Sequence, residues 1–414
     1  MGRSALSCSS SPEASDSIPF RFPTRHFQLP IFEGFPVKIL ILPDSFKGSL
    51  TSSQAAAQIE SAARKVFPEA QIESFPIADG GEGTLEMVQK ASGGAFLPIE
   101  VMGPCGQRVR SRYLSIGETA IVELAEAAGL GLRLPGFSPM KTTTIGVGQI
   151  IAEALHVGHR RIVIALGGSA TTDCGCGMAA ALGTQFLDEA GRPFLPTGAT
   201  LSMVRGIRLN GFFFGKNAPR IEALCDVDNP LYGPQGAACV FGPQKGATPE
   251  EVKVLDAGLK NIADLFQKRA AKLNSLKGAG AAGGTGAGVA AFLNGRLLSG
   301  IDALLDLMKF EEAAKSADLI ITGEGAVDTQ TKGGKVAAGI ARRAGGKPVV
   351  LFTGANMLGE KELNALYELG ITAVLPILQK PSTLGEAMAD AKTNLHLAAL
   401  NFFRAQQMLG LGAR

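Results

Sequence analysis

A chain of 414 residues is too long for one ordinary core; at roughly 100–200 residues per domain it calls for two or three. Hydrophobic residues make up 46% and charged residues 19%, and 40 basic against 37 acidic side chains leave a net charge of +3. That balance, without Trp or a dense Lys/Arg block, argues against a nucleic-acid partner, and no apolar run nears the 18 or so residues of a membrane helix.

Residues 1–36 are Ser-rich, then Pro- and Phe-containing. They lack the basic start and apolar stretch of a secretory signal, and Glu13, Asp16 and Glu33 among the arginines argue against an organelle presequence. A disordered extension is expected there. The folded part begins at Val37. Residues 37–42 read as a buried strand ending at Pro43-Asp44-Ser45. Thr51 and Gln54 form a capping-box pair, and Ile59, Ala62, Ala63 and Val66 share one face of the helix that follows. Pro68 ends that helix, and Gln71–Ile77 is a second strand, so the chain opens as β-α-β with right-handed parallel pairing expected.

Phe96–Val101, Val109–Ile116 and Ala120–Leu124 read as an antiparallel meander with turns near Pro104-Cys105-Gly106 and Gly117. They start a second domain. Strands at 161–166, 318–321 and 348–352 each close on small polar residues. The expected fold class is α/β. A Rossmann- or flavodoxin-like parallel-sheet domain (37–92 and 285–414) carries an inserted mixed α/β domain (93–284). In open α/β sheets ligands bind beyond the carboxyl ends of the strands, so the chemistry is expected on these tips.

Two nucleotide motifs fail. Residues 278–283 match G-x-G-x-x-G, but a charged helix-like stretch precedes them where a dinucleotide fingerprint needs a strand. Gly334-Lys335 lacks the Ser or Thr of a Walker A loop. Five other loops combine glycine with acids or lysine. Asp44-Ser45-Phe46-Lys47-Gly48-Ser49 offers helix-start amides and a mobile cation for phosphate or carboxylate. Asp79-Gly80-Gly81-Glu82-Gly83 offers two carboxylates suited to Mg²⁺. Residues 167–177, from Gly167-Gly168-Ser169 through Thr171 to Asp173, offer backbone donors, hydroxyls and one acid. The fourth spans Asp226 and Asn229 and reaches Lys245. The fifth holds Glu324 and runs on to Lys335. Taken singly, each is ordinary turn chemistry. Together they match phosphoryl transfer, which asks for positioning, cations, a metal and a base. Cys105, Cys174, Cys176, Cys225, Cys239 and Cys8 are scattered, which fits reduced thiols in the cytoplasm.

In order, Asp-Ser-Phe-Lys-Gly-Ser (44–49), Ala-Asp-Gly-Gly-Glu-Gly-Thr (78–84), Gly-Gly-Ser-Ala-Thr (167–171), Gly-Pro-Gln-Lys-Gly-Ala (242–247), Gly-Ala-Gly-Ala-Ala-Gly-Gly (278–284) and Thr-Gly-Glu-Gly (322–325) resemble the signature of bacterial-type (class I) glycerate kinases. The resemblance implies a cleft between two α/β domains, with ATP, Mg²⁺ and D-glycerate as cofactors and substrate. 2-Phosphoglycerate is favoured as product over 3-phosphoglycerate. It leaves open a homodimer, and it implies no nucleic-acid or membrane partner. The chain departs from the family pattern at Thr172 and Cys174, where Asn and Gly are common, and at Ala326, where Arg is common.

Residue chemistry and loop position then assign expected roles. Lys47 and Lys245 bind phosphate or the glycerate carboxylate. Asp44, Ser45, Gly168, Ser169, Thr171, Asn229, Gly283, Gly284 and Lys335 line the substrate and phosphates. Asp79, Glu82 and Glu324 are the metal-side acids. Asp173 is the expected general base, with Asp226 next. The rival readings are a kinase for another small hydroxy acid and a non-catalytic nucleotide-binding regulator.

Overall fold

The computed structural model describes residues 37–77, 83–267, 270–328 and 336–411. Two large sheets organise them. The first joins β1 (Lys38–Pro43) and β2 (Gln71–Ser74) to three strands from the end of the chain. The second takes β3 (Ala95–Met102), β4 (Arg108–Ile116), β5 (Thr119–Glu123), β6 (Arg161–Ala165), β10 (Arg220–Cys225) and β11 (Arg296–Ser299). Between β6 and β10 a small antiparallel sheet is made by β7 (Gln185–Leu187), β8 (Pro193–Phe194) and β9 (Gly206–Arg208). The strands that return to the first sheet are β12 (Leu319–Val327), β13 (Val349–Asn356) and β14 (Ile371–Pro376).

The first sheet has the order β14-β13-β12-β1-β2 and is parallel throughout. The second has the order β11-β10-β6-β5-β4-β3. Here β11, β10, β6 and β5 are parallel, and β4 runs antiparallel to both neighbours. The meander expected at 96–124 is present, and its last strand also opens the parallel part. β11 pairs with β10, so the second sheet draws on sequence to Ser299, beyond residue 285 where the return to the first domain was expected.

Strand alternation builds five layers. In β1, Ile39 and Ile41 face helices Ser52–Val66 and Ala391–Leu411, whereas Leu40 and Leu42 face the opposite way. In β6, Val163 shares the cluster of Leu40 and Leu42, and Ile162 and Ile164 face the outer helices Ile145–His156 and Ala281–Phe292. The shared middle layer holds helices Thr84–Ser92, Gly300–Leu307 and Val336–Arg343 through Leu85, Leu304 and Ile340. Each such side chain stabilises the fold by about 1.5–3 kcal/mol on full burial. One apolar layer therefore joins the two sheets.

The first helix forms for local reasons. Thr51 accepts from the Gln54 amide at 3.1 Å, and the Gln54 side chain accepts from Thr51 N at 3.0 Å, the expected capping box. Ile59, Ala62, Ala63 and Val66 are buried along its inner face.

Candidate active site

Three of the motif segments follow the carboxyl ends of parallel strands: 44–49 after β1, 167–177 after β6 and 226–229 after β10, whereas residues 322–325 lie within β12 and residues 242–247 and 278–284 each follow a helix. After β1 the chain turns tightly. Asp44 N donates to Gly323 O at 2.8 Å, its carboxylate accepts from Ser45 N at 2.6 Å, and buried Phe46 pairs with Leu50. This leaves Lys47 exposed, with Asp44 and Ser45 half-buried. A Cβ on Gly325 would lie 3.0 Å from Lys47 N, so the turn rests directly on β12. Glu324, beside Thr353 of β13 in register, is buried at the same edge.

At the second sheet, residues 167–177 leave β6 and turn inward. Gly168 has φ +72°, and its carbonyl accepts from Leu130 N. Ser169 Oγ accepts from Thr171 N at 3.1 Å, and both residues are buried. Asp173 is fully enclosed. Its Oδ2 accepts from Thr144 N (2.8 Å), Thr144 Oγ1 (2.8 Å) and Gly177 N (3.2 Å), and its Oδ1 accepts from Gly175 N (3.1 Å). Burial raises its pKa. Both oxygens of the carboxylate are thus engaged by the protein, Oδ2 three times and Oδ1 once. The side chain expected to be the base is a staple between two helix starts.

Other expected ligand groups join the same interior. Lys245 is buried, and its Nζ donates to Thr171 O at 2.6 Å. Cys174 N donates to Gly283 O at 3.1 Å, and Gly283 (φ +65°) has room for no Cβ beside Thr171 O. Gly284 packs on Leu231, Leu259 and Cys174. Among the described residues the short helix Ala270–Asn274, not a strand, precedes this glycine run, so the strand that a dinucleotide fingerprint needs is missing. Asn229 Nδ2 donates to Gln235 O, and its own carbonyl accepts from Gly280 N. Asp226, after β10, is exposed and lies against the start of helix Gly300–Leu307. Asp79, Glu82 and Lys335 lie outside the described residues.

Burial drives the Lys245 pKa down to about 7, against the pull of the Asp173 charge in the other direction. An unfolded lysine titrates near 10.4. Between these values the unfolded chain binds more protons, so stability rises with pH from about 7 to about 10. Urea unfolding of the wild type and Lys245→Met across that range should show the wild type gaining on the variant. Parallel pH curves would contradict the buried, depressed lysine.

Chain connectivity bounds how far apart the two sets of tips lie. Ile77 N donates to Pro43 O at the end of β1. Six residues later, Gly83 N donates to Glu123 at the end of β5. Six links of chain span at most about 21 Å. A short connection therefore joins the carboxyl end of β1 to that of β5. In the sequence Glu123 reads only as part of the meander strand Ala120–Leu124. It is buried, accepts also from Leu85 N at 3.3 Å, and burial first, then Glu86 and Glu126, raise its pKa to about 7. The readable signal was an acid closing a run of apolar strand residues, Ala120–Val122.

Among the described residues no three Asp, Glu, His or Cys side chains converge. Mg²⁺ uses one or two carboxylates with waters and phosphate oxygens. Glu324 is a donor of that kind at the right strand end.

Two sheets with Gly-, Lys- and acid-bearing segments after several of their parallel strands define an α/β protein of the kind whose ligands bind beyond the carboxyl ends of its strands. The profile of the glycerate kinase family matches residues 39–407. Glycerate kinase of Bacillus subtilis (strain 168) is 41% identical over 359 residues, 86% of this chain and 94% of that protein. Glycerate 2-kinase of Escherichia coli (strain K12) is 39% identical over 372 residues, 88% and 97% of the two chains. A crystal structure of a protein provisionally named glycerate kinase 2, from Salmonella typhimurium LT2, superposes with a TM-score of 0.71 at 38% identity. It covers 90% of this chain and 99% of that one. The chain belongs to the glycerate kinase family, and so to the kinases.

Proposed function

We propose that the protein transfers the γ-phosphate of ATP to a hydroxyl of D-glycerate, with 2-phosphoglycerate as the product, in the cytoplasm. The observation that carries this reading is the set of glycine-, lysine- and acid-bearing segments after β1, β6 and β10 and in β12, in a chain that follows named glycerate kinases along most of its length. Domains at 37–92 with 285–414, and at 93–284, are the division proposed around a cleft between them, with β11 lent across it.

Lys47 is the exposed cation for phosphate or the glycerate carboxylate. Ser45 and the Asp44 turn frame it. Asp226, exposed beyond β10, takes the role of base toward the attacking hydroxyl, because Asp173 is fully enclosed and held by four protein donors. Glu324, with Asp79 and Glu82, is assigned to the metal side. A bound Mg²⁺ would neutralise charge between the β- and γ-phosphates. Gly168, Ser169, Thr171, Gly283, Gly284 and Lys245 shape the cleft floor from inside.

Enzyme, Mg-ATP and D-glycerate should form ADP only when glycerate is present. Enolase added without phosphoglycerate mutase should then yield phosphoenolpyruvate. ADP without phosphoenolpyruvate would refute the 2-phosphate, and no glycerate-dependent ADP would refute the kinase. Lys47→Ala should lower kcat/KM about 100-fold while leaving the unfolding midpoint in place, since the side chain is exposed. A loss below threefold would remove Lys47 from the site.

A further inference from the structure

We infer that Glu123 is a positioning residue: it clamps the start of helix Thr84–Ser92 to the carboxyl end of the second sheet and holds the two sides of the cleft at working separation. The inference rests on the kinase reading above. Glu123 is the last residue of β5, an interior strand between β4 and β6. Its two oxygens are divided between two amides of one helix start, Gly83 N on Oε1 at 3.2 Å and Leu85 N on Oε2 at 3.3 Å. That helix belongs to the middle layer and follows β2 of the first sheet. The contact therefore ties chain from one sheet to a strand tip of the other.

Its surroundings reinforce the same joint. Leu124 N, next in the chain, donates to Ala165 O, from which residues 167–177 depart. On the solvent side Arg112 of β4 pairs with Glu86 of the helix and with Glu126 beyond β5. Its guanidinium also lies 4.6 Å from the centre of the Phe96 ring. The exposed pairs contribute little alone. The buried carboxylate is different. It is costly to enclose and is compensated by amides at a helix N-terminus, where a negative group is favoured. An apolar side chain would fill the volume without that cost. What the carboxylate adds is a fixed distance between β5 and the residue that follows Glu82 in the chain.

Glu123→Gln keeps shape and one acceptor, Glu123→Leu keeps volume and none, and Glu123→Asp keeps charge with shorter reach. Two readouts apply to the full chain. Hydrogen exchange should show the Gly83 and Leu85 amides losing protection in the Gln and Leu variants, while amides later in the helix keep theirs. Unchanged protection at both amides overturns the clamp whatever the enzyme's substrate proves to be. In glycerate-dependent ADP formation, kcat should fall about tenfold or more in Gln and Leu. KM for ATP and for glycerate should stay within threefold, and Asp should recover part of kcat. Unchanged kcat in a folded Gln or Leu variant, or a change confined to KM, overturns the positioning role. If Gln fails to fold, Leu decides, because it leaves no unpaired polar group of its own. A wild type without glycerate-dependent ADP refutes the kinase reading alone, and the exchange result still stands.

Discussion

Replacing Asp173 with Asn should lower the stability of the folded chain by about 3 kcal/mol, read as a shifted urea midpoint at constant slope. Asp173 oxygens receive two hydrogen bonds from Thr144 and one each from Gly175 and Gly177. Thr144 precedes helix Ile145–His156, and Gly175 and Gly177 stand at the start of helix Cys176–Ala181. The carboxylate thus neutralises donors at two helix N-termini at once, where the amides have no partners of their own. Thr144 Oγ1 passes the network on by accepting from Met178 N at 2.9 Å. An Asn side chain offers one acceptor oxygen. If it serves the three donors on Oδ2, its NH₂ must face Gly175 N–H, donor against donor. Each buried group left unsatisfied costs about 1–3 kcal/mol. Turnover should then fall only as far as the folded fraction falls. A variant with an unchanged midpoint and a thousandfold lower kcat would return Asp173 to the role of base.

The contrast with Thr51 shows where sequence reading holds and where it stops. Thr51 and Gln54 are three residues apart, and the helix they cap closes its own bonds, so spacing alone identified it. The strand tips were legible for a similar reason. An apolar run that ends on glycine and polar residues marks where β1 and β6 leave their sheets, but β12 and β13 stay paired beyond theirs, through Glu324↔Thr353 to Val327↔Asn356, because the polar residues there still exchange backbone hydrogen bonds. Asp173 reads equally well as a base or as a staple, because its first partner lies 29 residues earlier. Lys245 finds its acceptor 74 residues away, and Glu123 finds Gly83 at a separation of 40. Residue type announces that such a group is costly to bury; only the pairing of distant segments says whether it is spent on substrate or on the fold. The membership of β11 in the second sheet is hidden likewise. Arg296–Ser299 is short, and its parallel partner β10 ends some seventy residues earlier, so nothing local selects which sheet receives it.

The glycine run at 278–284 gives the second large effect, and it too runs against the reading of glycines as ligand contacts. Gly283→Ala should cost about 4 kcal/mol. An alanine Cβ there would stand 2.0 Å from Thr171 O and 2.6 Å from Thr172 Cα. Both are backbone atoms, so no side chain can swing aside. The φ of +65° adds the left-handed strain that L-residues meet. Neighbouring Gly284 has φ +88° and sits against Leu231 and Leu259, so the backbone cannot relax in that direction either. The displaced strand of contacts is the one that Lys245 holds through Thr171 O and that Cys174 holds through Gly283 O. Loop 167–177 must therefore shift with the substitution, and activity should fall together with stability. Gly278→Ala provides the comparison. Its φ is +82°, but its Cβ would meet the Cys225 sulfur at 2.6 Å, a side chain that can rotate. Denaturant titration of the two variants should place Gly283→Ala well below Gly278→Ala. Equal midpoints would mean that the run is a flexible phosphate cradle after all, and that its close approach to Thr171 is not what the fold requires of it.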